Sequence, residues 1–143
     1  MHKVALSVLF LSMLAAATAA APAMAETIKY RAALTSADEV PPNDSGGKGT
    51  IEATYDTDSG MLSWSGDYSG LTGAAIAAHF HGPAGPGVNA PPVVPVDASK
   101  SPFQGSAKIA PQVASDFSGG KIYFNIHTAK NKGGEIRGQL ARE

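Results

Sequence analysis

Past residue 25 this sequence offers no long run with a helical apolar period. It offers short stretches in which apolar and polar residues alternate, each closed by Gly, Pro, Asn or Asp. Residues 27–35, 48–55, 61–68, 75–81, 92–97, 103–109, 121–127 and 135–140 read as strands, and 111–117 as a single helical turn. The adjacent prolines of 36–47 (SADEVPPNDSGG) make that stretch a loop, and Asp56-Thr57-Asp58-Ser59-Gly60 is a hairpin turn. About eight short strands without a long helix predict an all-β fold, an antiparallel Greek-key sandwich or barrel.

Composition narrows the function. Lys+Arg 11 against Asp+Glu 12 leaves a net charge of −1, so there is no basic field to hold nucleic acid. The cysteine count is zero, which removes disulfides, thiolate nucleophiles, zinc knuckles and iron–sulfur ligation. Residues 1–25 differ from the rest. Lys3 precedes an apolar stretch, and Ala23-Met24-Ala25 resembles a small-residue cleavage site. The expectation is a signal peptide over 1–25 and one domain over 26–143, exported to a periplasm or secreted, with no membrane span after cleavage.

Apart from His2, three histidines remain: His79, His81 and His127. His79 and His81 form an H-x-H pair, and strand residues two apart share a face about 7 Å apart along the backbone. Alternation turns Ile76, Ala78 and Phe80 inward, and Ala77, His79 and His81 outward. Likewise Ile122, Phe124 and Ile126 point in, while Tyr123, Asn125 and His127 point out. All three histidines therefore belong to the outer face. Three imidazoles suit copper or zinc, with copper favoured on intrinsic affinity for nitrogen, and such a site keeps a coordination position open. In the last strand Ile136, Gly138 and Leu140 point in. Glu135 and Gln139 read as a polar solvent face, with an ordinary neighbour relation between Glu135 and Arg137. Asn125 and Arg137 are candidates to orient the imidazoles.

Other chemistries have less support. There is no G-x-S-x-G elbow, and nucleotide-binding glycine patterns are absent. Asp38, Glu39, Asp56 and Asp58 read as loop and turn acids.

Four stretches carry a family resemblance: AALTSADEVPP (32–42), YSGLTGAAIAAHFHGPAGPG (68–87), VVPV (93–96) and KIYFNIHTAKNKGGEIRGQL (121–140). Together they resemble the CHRD domain, the module named after repeats in extracellular chordin. The resemblance implies an extracytoplasmic β-domain without delivering an activity. A weaker resemblance links Ser69-Gly70-Leu71-Thr72, His79-Phe80-His81 and Ile126-His127 to the copper-ligand regions of copper/zinc superoxide dismutases. It implies a superoxide-dismutase-like fold with His79, His81 and His127 as copper ligands. This sequence lacks the bridging histidine, the zinc-ligand loop and the paired cysteines of those enzymes. The combined expectation is an exported CHRD-domain protein with a three-histidine copper site, serving in copper storage, delivery or detoxification. The alternatives are a metal-free module that binds an extracytoplasmic protein and, last, a copper-dependent dismutase-like enzyme.

Overall fold

A computed structural model describes residues 19–143. Most of the expected signal peptide, residues 1–18, lies outside the described residues. Among those described, no helix is long and apolar enough to cross a membrane.

The strands are β1 (Thr27–Thr35), β2 (Lys48–Asp56), β3 (Met61–Ser69), β4 (Ala75–His81), β5 (Pro92–Val96), β6 (Phe103–Lys108), β7 (Tyr123–Thr128), β8 (Ile136–Gln139) and β9 (Ala141–Arg142), with α1 (Pro111–Ser118) between β6 and β7. In β1 the alternation is complete: Ile28, Tyr30, Ala32 and Leu34 are buried and the residues between them are exposed. The turn between β2 and β3 closes on Asp56, whose Oδ1 accepts the Asp58 and Ser59 amides (3.0 and 2.8 Å), and Gly60 supplies the positive φ.

The order across the sheet is β5-β4-β7-β8-β1-β2-β3-β6, antiparallel throughout. The chain leaves β3 and reappears at β4 on the far side, then returns to lay β6 beside β3. The result is a Greek-key barrel that, among the described residues, is open between β5 and β6. On the opposite side the ring is joined where Thr35 pairs with Arg137 and β9 continues along β1. A Cβ at Gly138 would come within 2.0 Å of the Ala33 carbonyl oxygen, so only glycine permits this approach of β8 to β1.

The core is apolar and aromatic. Phe80 contacts Trp64, Phe117 and Phe124 at ring separations of 5.6, 5.5 and 5.0 Å, and Phe103 stacks on Phe124. Each fully buried phenylalanine of this kind stabilises the fold by about 1.5–3 kcal/mol. With no disulfide, the barrel relies on this packing and on its hydrogen bonds. The segment expected to make one turn is an eight-residue helix with proline in its first turn, and its Phe117 packs on Tyr30 and Phe80.

Two expectations about faces fail. Ile76 is 58% exposed, because a bulge in the β4–β7 pairing between Ala75 and Ala77 breaks the alternation there. Glu135 does not face solvent: it is fully buried under loops that fold over the outer face, and it makes no ion pair with Arg137. Gln139 is half-buried by the same cover, its amide donating to the Ala84 and Gly120 carbonyls.

Candidate metal centre

β4 and β7 are distant in sequence but adjacent in the barrel. Their register pairs Ala77 with His127, His79 with Asn125, and His81 with Tyr123. His127 is therefore a diagonal neighbour of His79 on the same outer face. The structure brings all three histidines together, with one ring nitrogen from each within 4.8 Å of the others. His79 Nδ1 lies 3.3 Å from His127 Nε2. Metal–nitrogen bonds of about 2.0–2.1 Å at a tetrahedral angle put two nitrogens about 3.3 Å apart.

Two backbone carbonyls set the ring orientations. His81 Nδ1 donates to Ala90 O (2.9 Å) and His127 Nδ1 donates to Lys132 O (2.8 Å). Each bond places the proton on Nδ1 and turns Nε2, with its lone pair, toward the cluster. His81 Nε2 is buried without a hydrogen-bond partner among the described residues. A buried nitrogen left unpaired is costly; a bound cation would satisfy it, and the Asn125 side chain also lies within its reach. Burial holds the His79 imidazole below its ordinary pKa, helped by His127 and then His81. Burial does the same at His81, against the opposing pull of the Ala90 carbonyl. Neutral imidazoles are the ligating form.

Around the cluster lies a layer of contacts that alternation did not reveal. Tyr123 stacks on His81 with ring centroids 4.8 Å apart and planes 3° from parallel. The Arg137 guanidinium covers the other face of this stack, 3.4 Å from the Tyr123 centroid. Arg137 reaches His81 at one remove; its hydrogen bonds go to Asn89 Oδ1 (2.9 Å) and Val88 O (2.6 Å). Asn125 is buried, donates to Gly133 O (3.5 Å) and lies beside the Glu39 carboxyl.

Glu39, read from sequence as a loop acid, is 3% exposed. Its only sequence mark is its place in the E-V-P-P run. Gly134, with φ of 128°, makes room for it: a Cβ there would strike Glu39 Oε1 and the Asn125 amide. Burial lifts the Glu39 carboxyl to about 7, while Asn125, Arg137 and the Val40 amide pull it down. A folded-state value above the ordinary one means the folded chain binds the proton more tightly. This contribution to stability is full below about pH 4.5 and is lost as pH rises through 7. Glu39→Gln should therefore gain on the wild type by up to about 3 kcal/mol between pH 5 and pH 8. Denaturant unfolding at the two pH values measures this. An unchanged difference would place the Glu39 carboxyl in water.

The profile of one family, the CHRD domain, matches residues 30–140. No curated protein and no solved structure matches the chain. The matched span contains the three histidines, the loops that cover them and every strand from β2 to β8. On that match the chain belongs to the CHRD domain family.

Proposed function

We propose that this CHRD-domain protein is exported and binds one copper ion through His79, His81 and His127, serving in copper storage, delivery or detoxification. One observation carries the reading. Three imidazoles from two strands converge, with two ring nitrogens already at the spacing of a shared metal and a third buried without a partner. The donor set is all nitrogen, with no thiolate, and divalent copper stands at the top of the affinity order for such sites. Copper would supply a redox-capable centre. The chain supplies imidazole ligands, carbonyls that fix the tautomers of His81 and His127, and a partly exposed approach at His79 and His127.

Copper titration of the purified protein, followed by electron paramagnetic resonance, tests this. The expected result is one site per chain with hyperfine splitting from nitrogen ligands. Weak, heterogeneous binding with no nitrogen pattern would sink it and turn attention to protein partners.

A further inference from the structure

The loop from Gly82 to Pro91 leaves β4 directly after His81 and passes over the outer face. Its first half is tied down through main chain. The Ala84 amide donates to Lys121 O (2.9 Å), and Gly82 closes on Pro91 O (3.2 Å). Its second half is held differently. Among the described residues, every hydrogen bond between Val88–Ala90 and the rest of the barrel passes through a side chain. Arg137 holds Val88 O and Asn89 Oδ1. The Asn89 amide reaches Val40 O (3.1 Å). The Tyr123 hydroxyl both donates to Ala90 O and accepts the Ala90 amide, at 3.1 Å each. His81 Nδ1 donates to that same Ala90 carbonyl. Ahead of these ties the loop is lightly packed: Pro86 and Gly87 border a cavity of about 390 Å³, and Val88 is 56% exposed.

The carbonyl that fixes the His81 ring therefore sits on a segment tied to the barrel by side chains, between the main-chain bond of Val88 N to Gly85 O within the loop (3.3 Å) and that of Gly82 N to Pro91 O at its end. The other two histidines do not depend on it. His127 is set by Lys132 O, on the β7–β8 loop, and His79 faces His127 directly.

We propose that residues 88–90 form a strap whose closure, latched by Arg137 and Tyr123, turns His81 into the third ligand, so that metal capture and strap closure are linked. This rests on the copper reading above. With the strap open, His79 and His127 form a two-nitrogen entry site. With it closed, the Ala90 carbonyl orients His81 and the ion is held by three. Arg137 and Tyr123 are positioning residues, and neither touches the ion. Linkage is reciprocal, so a bound ion should hold the strap shut by the same factor that the strap tightens the ion.

The test uses the purified protein with Arg137→Met, which keeps bulk on the Tyr123 ring, and Tyr123→Phe, which keeps the stack and removes both bonds to Ala90. Loss of a contact that orients a ligand costs about 10–100-fold in metal affinity. Both variants should bind copper more weakly by a factor in that range and release it faster to a chelator. Their resonance spectra should shift from the wild-type nitrogen pattern toward one with fewer nitrogens. Hydrogen exchange adds a second readout. Copper should slow exchange of the Ala90 amide in wild type and do so less in Arg137→Met. If Arg137→Met does not fold, Tyr123→Phe carries the test alone. Wild-type binding with unchanged affinity, spectrum and exchange in the folded variants overturns the strap and leaves the three-histidine site standing. A wild-type protein that binds no copper overturns both.

Discussion

Glu135→Gln should lower the thermal midpoint by about 10 °C, a loss of about 3 kcal/mol for a domain of this size. The carboxylate is fully buried and sits where three loops meet. It accepts the Ser45 hydroxyl (2.6 Å), the Thr72 amide (2.7 Å), the Thr72 hydroxyl (2.7 Å) and the Thr128 hydroxyl. Asn43 adds a bond to the Glu135 carbonyl (3.0 Å). All four partners of the side chain are donors. In an amide only the oxygen can accept from the Thr72 N–H, so the NH₂ falls against the Thr72 and Thr128 hydroxyls, which must turn from donors to acceptors, and the charge on which the four bonds converge is lost. Burial alone would raise this carboxyl, but the converging donors outweigh it and hold it down to about 2.

The direction of the pH effect follows. A folded-state value below the ordinary one gives stability that is present above about pH 4.5 and is lost as pH falls toward 2. Wild type should show a steep acid limb in its stability curve, and Glu135→Gln a flatter one. Thermal unfolding from pH 7 to pH 3 measures both effects. A variant within about 1 kcal/mol of wild type at pH 7 would show that the loops do not need the charge.

His127→Ala should behave in the opposite way, with a large loss of metal binding and little loss of fold. The side chain lies on the outer face, and its neighbours in the aromatic core, Phe124 and Ile126, are untouched. Removing a group that merely orients a ligand costs about 10–100-fold, so removing a ligand should cost more than about a hundredfold in copper affinity. Thermal unfolding without metal should stay within about 1 kcal/mol of wild type, because the substitution leaves the apolar core intact. Titration calorimetry beside a thermal scan separates the two. Unchanged affinity would remove His127 from the site, and a large drop in metal-free stability would make it a structural residue.

The strands were legible because each has one face against the core, and period-two alternation writes that face into the sequence. Ile28 to Leu34 and Ile122 to Ile126 show it, and so does the shared side of His79 and His81. The meeting of His127 with that pair was not legible in the residues themselves. It depends on β7 lying beside β4, a pairing between strands far apart in the chain. Ile76 misled because one bulge shifts the phase without altering composition. Glu39 and Glu135 escaped for another reason. Alternation says which way a side chain points and nothing about what later covers it. Here the covers are the loops 36–47, 82–91 and 129–135, whose sequences look like ordinary Gly- and Pro-rich connections.

The opening between β5 and β6 bears on how such a chain fares among others of its kind. An unpaired strand edge is a template for a stray strand. β5 carries Pro92 and Pro95, and proline is accommodated in a ladder only where its nitrogen faces the free side. That edge offers a visitor fewer donors than a strand of its length normally would. Replacing either proline would return a donor to this edge, and with it a place for a second strand to pair.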